Sequence, residues 1–208
     1  TWRFQYFSSP DQVRPEHVGA TVAAKGWKQI PVPANWTLEG YGRPQYTNVL
    51  MPFDNAPPEV PAENPTGVYR RNVTLPAEWG NRRTVLQFGG VESCFFLYVN
   101  GQFVGMSKDS RLPAEFDVTP FLKGRTNSLA VVCIQYSDAS YVEDQDHWWM
   151  AGIFRDVHLY STEDAYFEDA FVRGGLANDY RDGTLDIHVK LGFATEPERN
   201  FRVEARLY

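Results

Sequence analysis

The apolar positions of this chain fall into short runs with the spacing of β-strands, and a helical spacing is almost absent. Several runs are rich in β-branched and aromatic residues with partial alternation of apolar and polar positions, which is typical of strands. These runs cover residues 68–75, 83–88, 94–99, 102–106, 128–136 and 154–160. The run 128–136 is nearly continuous in apolar residues, so we expect a strand that is buried on both faces.

Local turn signals connect some of these predicted strands. Asn100-Gly101 separates two of the runs, and this pair supplies the positive φ angles that a tight type I′ turn requires. We therefore predict a β-hairpin over residues 94–106. Residues 120–124 predict one short turn of helix.

Two segments lack a strand pattern. Residues 31–67 contain eight prolines, which cannot donate a backbone hydrogen bond to a sheet. Residues 137–152 form the second segment. Both contain several aromatic residues, so we expect ordered loops with a functional role rather than disordered linkers.

The composition changes near residues 161–164. Three further strand-like pieces follow, over residues 166–172, 184–191 and 201–207. Such spacing indicates an immunoglobulin-like sandwich, which needs about seven strands and about 100 residues. Only about 45 residues remain, so we expect an incomplete second domain.

The composition agrees with an all-β protein that has many turns, since 15% of the residues are aromatic and there are 14 prolines and 16 glycines. A net charge of −6 and scattered basic residues argue against a nucleic-acid partner and against a membrane anchor. No apolar run reaches the roughly 18 residues that span a bilayer. Cys94 and Cys133 lie in apolar runs, which predicts two buried free thiols, and the sequence leaves a bridge between them open.

The segment from Tyr141 to Gly152 has the most distinctive chemistry in the chain. It contains three carboxylates, a histidine and two tryptophans, which are Glu143, Asp144, Asp146, His147, Trp148 and Trp149. Carboxylate oxygens can bind hydroxyl groups or a cation, and flat rings can cover the apolar face of a pyranose. This combination suggests a sugar site.

Simpler interpretations stand beside the functional ones. Glu143 and Asp144 are adjacent, and adjacent residues on a strand face opposite ways, so we expect structural hydrogen-bond acceptors rather than a catalytic pair. The two tryptophans are expected to pack under the loop rather than to stack on a sugar. The four histidines have no metal-ligand spacing.

Six segments, taken in order, resemble the N-terminal sugar-binding domain of glycoside hydrolase family 2, close to the β-galactosidases. They are Val32–Trp36, Tyr46–Val49, Glu63–Gly67, Val99–Gly101, Lys108–Asp117 and Tyr141–Val157. The resemblance covers nearly the whole chain. It implies an all-β architecture, with a jelly-roll β-sandwich over residues 1–162 and a truncated immunoglobulin-like β-sandwich over residues 163–208.

The resemblance also implies an activity and its residues. Family members are retaining β-glycosidases whose two catalytic glutamates lie in a later barrel domain, so no catalytic residue is expected in this chain. Asn48 and Val49 would contact the galactose, and Asp146 would bind both the sugar and a sodium ion. Magnesium would bind in the absent barrel domain. The chain departs from the family at His147 and Trp149, where an apolar residue and an arginine are frequent, which affects the rim of the pocket.

The resemblance implies a β-galactoside such as lactose as substrate, the rest of a longer polypeptide as partner, and a homo-oligomer when intact. A stand-alone carbohydrate-binding module, a purely structural domain and a β-glucuronidase or β-mannosidase remain alternatives. The chain begins inside a strand-like run without a methionine, so we expect the natural N-terminus upstream. A cytoplasmic location is expected, with a periplasmic one as the alternative.

Overall fold

A computed structural model describes residues 1–21, 26–48, 50–80 and 82–208, and it contains fifteen strands within these ranges. The strands are β1 (Trp2–Phe7), β2 (Lys28–Ile30), β3 (Gln45–Thr47), β4 (Thr66–Thr74), β5 (Arg83–Phe88), β6 (Val91–Glu92), β7 (Cys94–Val99), β8 (Gln102–Ser107), β9 (Ala114–Asp117), β10 (Thr126–Ile134), β11 (His147–Trp149), β12 (Gly152–Ile153), β13 (Val157–Thr162), β14 (Ala165–Ala177) and β15 (Asp182–Phe193). One α-helical turn, Pro15–Val18, and four 3₁₀ turns, Pro10–Gln12, Ala77–Trp79, Thr119–Phe121 and Asp138–Tyr141, complete the regular structure of the described residues. The predicted all-β class is confirmed.

The chain divides into two compact units. The first comprises Thr1–Gly80 and Thr84–Tyr160, and the second is built mainly from Ser161–Tyr208. In the first unit an antiparallel sheet has the order β2-β1-β4-β10-β7-β8, and a second sheet has the order β13-β5-β9. Both sheets contribute to one apolar core, for example Phe4 and Val131 from the first sheet and Leu86 and Phe88 from the second. The first unit is therefore a β-sandwich.

The local strand predictions agree with the structure. β7 and β8 form the predicted hairpin, with φ angles of 52° at Asn100 and 78° at Gly101. β10 lies between β4 and β7, and five consecutive residues from Leu129 to Cys133 are buried. The predicted short helical turn occurs as the 3₁₀ turn Thr119–Phe121. Cys94 and Cys133 are buried free thiols, as predicted.

The prediction that both loop segments lack strands is wrong at two places. β3 from the first segment pairs with β11 from the second, although about 100 residues separate them. β12 at the end of the second segment pairs with β6. Each of these strands has only two or three residues, so its pairing depends on a distant partner and leaves no periodic pattern. Elsewhere in the described part of residues 31–65 no helix or strand forms.

Trp36 anchors the proline-rich segment to the sandwich. Its side chain is fully buried, and its ring lies 5.8 Å from that of Phe4 and 6.3 Å from that of Tyr69. Its backbone N–H donates to the carbonyl of Ala151 at 2.9 Å. The ring fits because β4 has a glycine below it: a Cβ on Gly67 would lie 2.4 Å from Cζ3 of Trp36. The segment that carries β3 is thereby fixed beside the segment that carries β11.

The second unit contains a long hairpin, in which β14 pairs with β15. Most of its side chains are exposed, including the apolar Phe167, Phe171 and Leu176. The third strand predicted for this unit, over residues 201–207, is wrong: these residues are exposed and form no strand. No strand in the described residues pairs with them, and an isolated run with β propensity cannot satisfy its backbone groups as a strand.

One carboxylate is buried in the first unit. Glu92, at the end of β6, is 6% exposed, and Nη1 of Arg111 lies 3.5 Å from its Oε2. Burial raises the pKa of Glu92 to about 7, against the lowering effects of Arg111, His147 and the backbone N–H of Met150. Burial disfavours the charged form because the low-dielectric interior replaces water.

The helical segments of the described residues are single turns, and none of them has the length and apolar character of a membrane span.

The first prediction concerns local stability. A two-stranded hairpin with exposed faces is marginally stable, so opening of β14 and β15 should need less free energy than opening of the sandwich. Limited proteolysis followed by mass spectrometry should place the first cuts within residues 165–208. A first cut within residues 30–120 would contradict the prediction.

The second prediction concerns pH. Because the folded pKa of Glu92 lies above its ordinary value of 4.5, the folded state binds the proton more tightly. Relative to a Glu92→Gln variant, the free energy of unfolding of the parent should therefore fall by roughly 3 kcal/mol as the pH rises from below 4.5 to above 7. All six tryptophans lie within residues 1–160, so their fluorescence in denaturant titrations reports on this unit. The exposed Glu115→Gln is the matched control, and a pH-independent difference for Glu92→Gln would disprove the prediction.

Candidate functional site

The pairing of β3 with β11 brings the predicted site residues to one end of a two-stranded ribbon. Thr47 pairs with His147 and Tyr46 with Trp148. Asn48 directly follows Thr47, and Asp146 directly precedes His147. The antiparallel register therefore places Asn48 and Asp146 next to each other in the backbone, at the end where the two strands diverge.

Asp146 has an exposed carboxylate that is held on one side. The hydroxyl of Tyr46 donates to its Oδ1 at 2.5 Å. This hydrogen bond raises the pKa of Tyr46, because the bond and the negative charge both disfavour the phenolate. Among the described residues nothing donates to Oδ2 of Asp146, so this oxygen can bind a ligand.

Asn48 is exposed, and among the described residues its side-chain amide makes no hydrogen bond. Both its donor and its acceptor are therefore available. Val49, the third predicted contact, lies outside the described residues.

The two tryptophans have different environments. Trp149 is 3% exposed, and its Nε1 donates to Oγ1 of Thr47 at 2.6 Å, so the predicted packing is confirmed for this residue. Trp148 is 54% exposed, and its ring lies 5.5 Å from that of Tyr46. For Trp148 the prediction of a packed ring is wrong, because alternation along β11 turns it away from the side that Trp149 occupies.

Glu143 is a structural hydrogen-bond acceptor, as the sequence predicts. Its two oxygens accept hydrogen bonds from the N–H of Ser110 at 2.7 Å and from the hydroxyl of Ser110 at 2.6 Å. These bonds tie the 137–146 loop to the turn after β8. Asp144 differs: its Oδ1 is buried, and no donor among the described residues reaches it.

Sequence reasoning missed the surroundings of Glu92. A surface cavity of about 380 Å³ lies beside this residue, and we name it the Glu92 pocket. Its lining combines polar side chains with apolar and aromatic ones: Asn35, Glu92, Arg111, His147, Trp148, Met150 and Phe154. The signal in the sequence was a single acidic residue that follows Val91 and lies just before the apolar run from Cys94, but its neighbours come from three distant segments.

This chain would supply few negatively charged ligands to a cation bound at Asp146. Among the residues that the structure describes, no three histidine, cysteine, aspartate or glutamate side chains form a group that could hold a metal. Hard cations accept carboxylate, carbonyl and water oxygens, so the open Oδ2 of Asp146 fits as one ligand. The other ligands would be backbone carbonyls, water or groups outside this chain.

The comparisons with known proteins agree with this architecture. Residues 1–163 match the family described as "Glycosyl hydrolases family 2, sugar binding domain". A β-galactosidase of Photobacterium profundum is 48% identical over 187 residues, which are 89% of this chain and 18% of that protein. A β-galactosidase of Vibrio vulnificus is 46% identical over 208 residues, which are 100% of this chain and 20% of that protein. The chain thus spans about a fifth of the length of these curated relatives.

Solved structures share the fold at lower identity. A β-glucuronidase of Bacteroides uniformis aligns with a TM-score of 0.71 and 22% identity, over 92% of this chain and 21% of that one. A β-glycosidase of Bacteroides vulgatus aligns with a TM-score of 0.69 and 19% identity, over 94% and 24%. The fold, the order of the motifs and the match over residues 1–163 agree, and the chain belongs to glycoside hydrolase family 2 through its sugar-binding domain.

Proposed function

We propose that this chain is the N-terminal portion of a β-galactosidase that hydrolyses terminal β-galactosides such as lactose with retention of configuration. The observation that carries the proposal is the 42–48% identity to several bacterial β-galactosidases over at least 89% of the chain.

In this proposal the ribbon of β3 and β11 supplies one wall of the galactose site. The Asn48 amide donates to one sugar hydroxyl and accepts from another, since it can do both without a change of charge. The open Oδ2 of Asp146 accepts from a hydroxyl or binds a sodium ion. The hydrogen bond from Tyr46 fixes the rotation of the carboxylate, so that Oδ2 is held in place before the ligand arrives.

The chemistry of bond cleavage belongs to a barrel domain outside this chain. A retaining site requires two carboxyl groups about 5–5.5 Å apart on either side of the glycosidic bond. Glu143 does not suit such a role, because Ser110 occupies both of its oxygens. Magnesium in the barrel and assembly into a homo-oligomer are further parts of the proposal.

A third prediction follows for the 208-residue chain alone, which should not hydrolyse a chromogenic β-galactoside because the required carboxyl pair is elsewhere. The measurement is the release of nitrophenol by the purified chain over a long incubation. Turnover that disappears on Glu143→Gln or Asp144→Asn would contradict the proposal and would assign the pair to the acidic segment.

A fourth prediction concerns the longer polypeptide with its barrel. Asp146→Asn should lower kcat/KM by about 10–100-fold and should weaken the dependence on sodium, because asparagine keeps an acceptor oxygen but loses the charge that a hard cation prefers. Asn48→Ala should lower kcat/KM with an unchanged sodium response, since its contact is to the sugar. The measurement is a sodium titration at constant ionic strength, which removes screening effects.

Asp11→Asn is the matched control, because Asp11 is an exposed aspartate far along the chain from the ribbon. It should leave both readouts unchanged. If Asp146→Asn gives the parent's sodium titration, then Asp146 binds no cation, and its bond with Tyr46 only braces the loop.

A further inference from the structure

The Glu92 pocket has a chemistry that the proposed function does not use. Its volume of about 380 Å³ falls at the lower end of the roughly 300–1,000 Å³ that ligand pockets occupy. We propose that the Glu92 pocket binds a neutral sugar unit, as a second carbohydrate contact beside the wall formed by Asn48 and Asp146. The inference rests on the proposed function and extends it to residues that the sequence did not indicate.

One buried acceptor in the pocket lacks a hydrogen-bond donor. Oδ1 of Asn35 is buried, and no donor among the described residues reaches it. The carboxylate of Glu92 is almost fully buried and has partners, namely the backbone N–H of Met150 and Arg111, but its ion pair with Arg111 is long at 3.5 Å. A buried acceptor without a donor costs free energy, so a ligand that brings hydroxyl groups would be favoured there.

The charges in the pocket favour a ligand without net charge. Glu92 and Arg111 lie 3.5 Å apart and compensate each other's charge, so an ion of either sign would be attracted by one of them and repelled by the other. Like charges at short distance repel strongly in a partly dry site. A sugar avoids this repulsion, since its hydroxyls can donate to Glu92 and accept from Arg111.

An aromatic face completes the match to a sugar. Two guanidinium groups flank the ring of Phe154, those of Arg111 and Arg155, each 5.3 Å from its centroid. Phe154 is therefore already covered by protein. Trp148 lines the pocket and is 54% exposed, so the part of its ring that Tyr46 does not contact is open to the C–H face of a pyranose.

The pocket and the predicted galactose wall share one strand. Asp146 immediately precedes β11, and His147 and Trp148 from β11 line the pocket. The backbone N–H of Met150, just after β11, bonds to Glu92. A sugar in the pocket would thus contact the same strand that orients Asp146.

The test is a titration of the 208-residue chain with lactose and with methyl β-galactoside. The measurement is the chemical shift of the Trp148 indole N–H at pH 8, where Glu92 is mainly ionised. We expect a saturable shift in the millimolar range. Trp148→Phe identifies the resonance.

Two variants probe the pocket directly, with isothermal calorimetry and the shifts of the remaining indole signals as readouts. Glu92→Gln and Trp148→Ala should each weaken lactose binding by about tenfold, a loss of about 1.4 kcal/mol. Glu115→Gln and Phe103→Ala are matched controls, since they remove an exposed carboxylate and an exposed ring elsewhere on the sandwich, and they should bind like the parent. Trp148→Ala removes an exposed side chain, so it keeps the test valid if Glu92→Gln fails to fold.

Several results would overturn the inference. These are no saturable binding of lactose, unchanged affinity in both pocket variants, or preferential binding of methylammonium or inorganic phosphate. Loss of binding in Asn48→Ala without loss in the pocket variants would also overturn it, and that result would leave the proposed function intact. Failure of the proposed function is detected separately, by the sodium and activity measurements on the longer polypeptide.

Discussion

The burial of the Trp36 indole anchors the proline-rich segment that carries one strand of the candidate site. The ring fills the space above Gly67 in β4, and the backbone N–H groups of Ala34 and Trp36 donate to the carbonyls of Ile153 and Ala151. A large aromatic side chain buries 150–250 Å², which contributes several kcal/mol and holds an otherwise irregular segment in place. Because Trp36 fixes the start of the proline-rich segment, β3 meets β11, and the residues on both strands come together.

The site combines exposed and buried carboxylates, and the environment of each sets its chemistry. Asp146 is exposed and keeps an open oxygen, which suits a ligand that exchanges with water. Glu143 has both oxygens occupied by Ser110 and acts as a brace. Glu92 is buried, its pKa is raised to about 7, and its stabilisation by Arg111 is incomplete. Retaining a costly buried carboxylate beside an open cavity is consistent with a binding role, since a structural position could have been filled by an apolar side chain.

The two units illustrate how burial decides whether a strand pattern becomes a strand. In the sandwich, β10 lies between two neighbours and is covered on both faces. In the second unit, β14 and β15 satisfy each other's backbone groups, but residues 201–207 have the same kind of sequence and remain irregular. Strand propensity is a preference for a half-buried pleated surface, so it is realised only where such a surface exists.

Elements with local signals could be predicted from the sequence. The hairpin at Asn100-Gly101 follows from φ angles that few residue pairs adopt, and β5, β7 and β10 follow from runs long enough to show a pattern. The order of the motifs also indicated the family, which the match over residues 1–163 confirms, and Asn48 and Asp146 remain predicted site residues. The folded structure was needed to show that β3 pairs with β11 and that Tyr46 donates to Asp146. It was also needed to show that Trp148 is exposed while Trp149 is buried, and that Asn35, Glu92 and Arg111 share a pocket. These features depend on contacts between segments about 20 to 100 residues apart, and the chemistry of a single residue contains no information about which distant side chains will surround it.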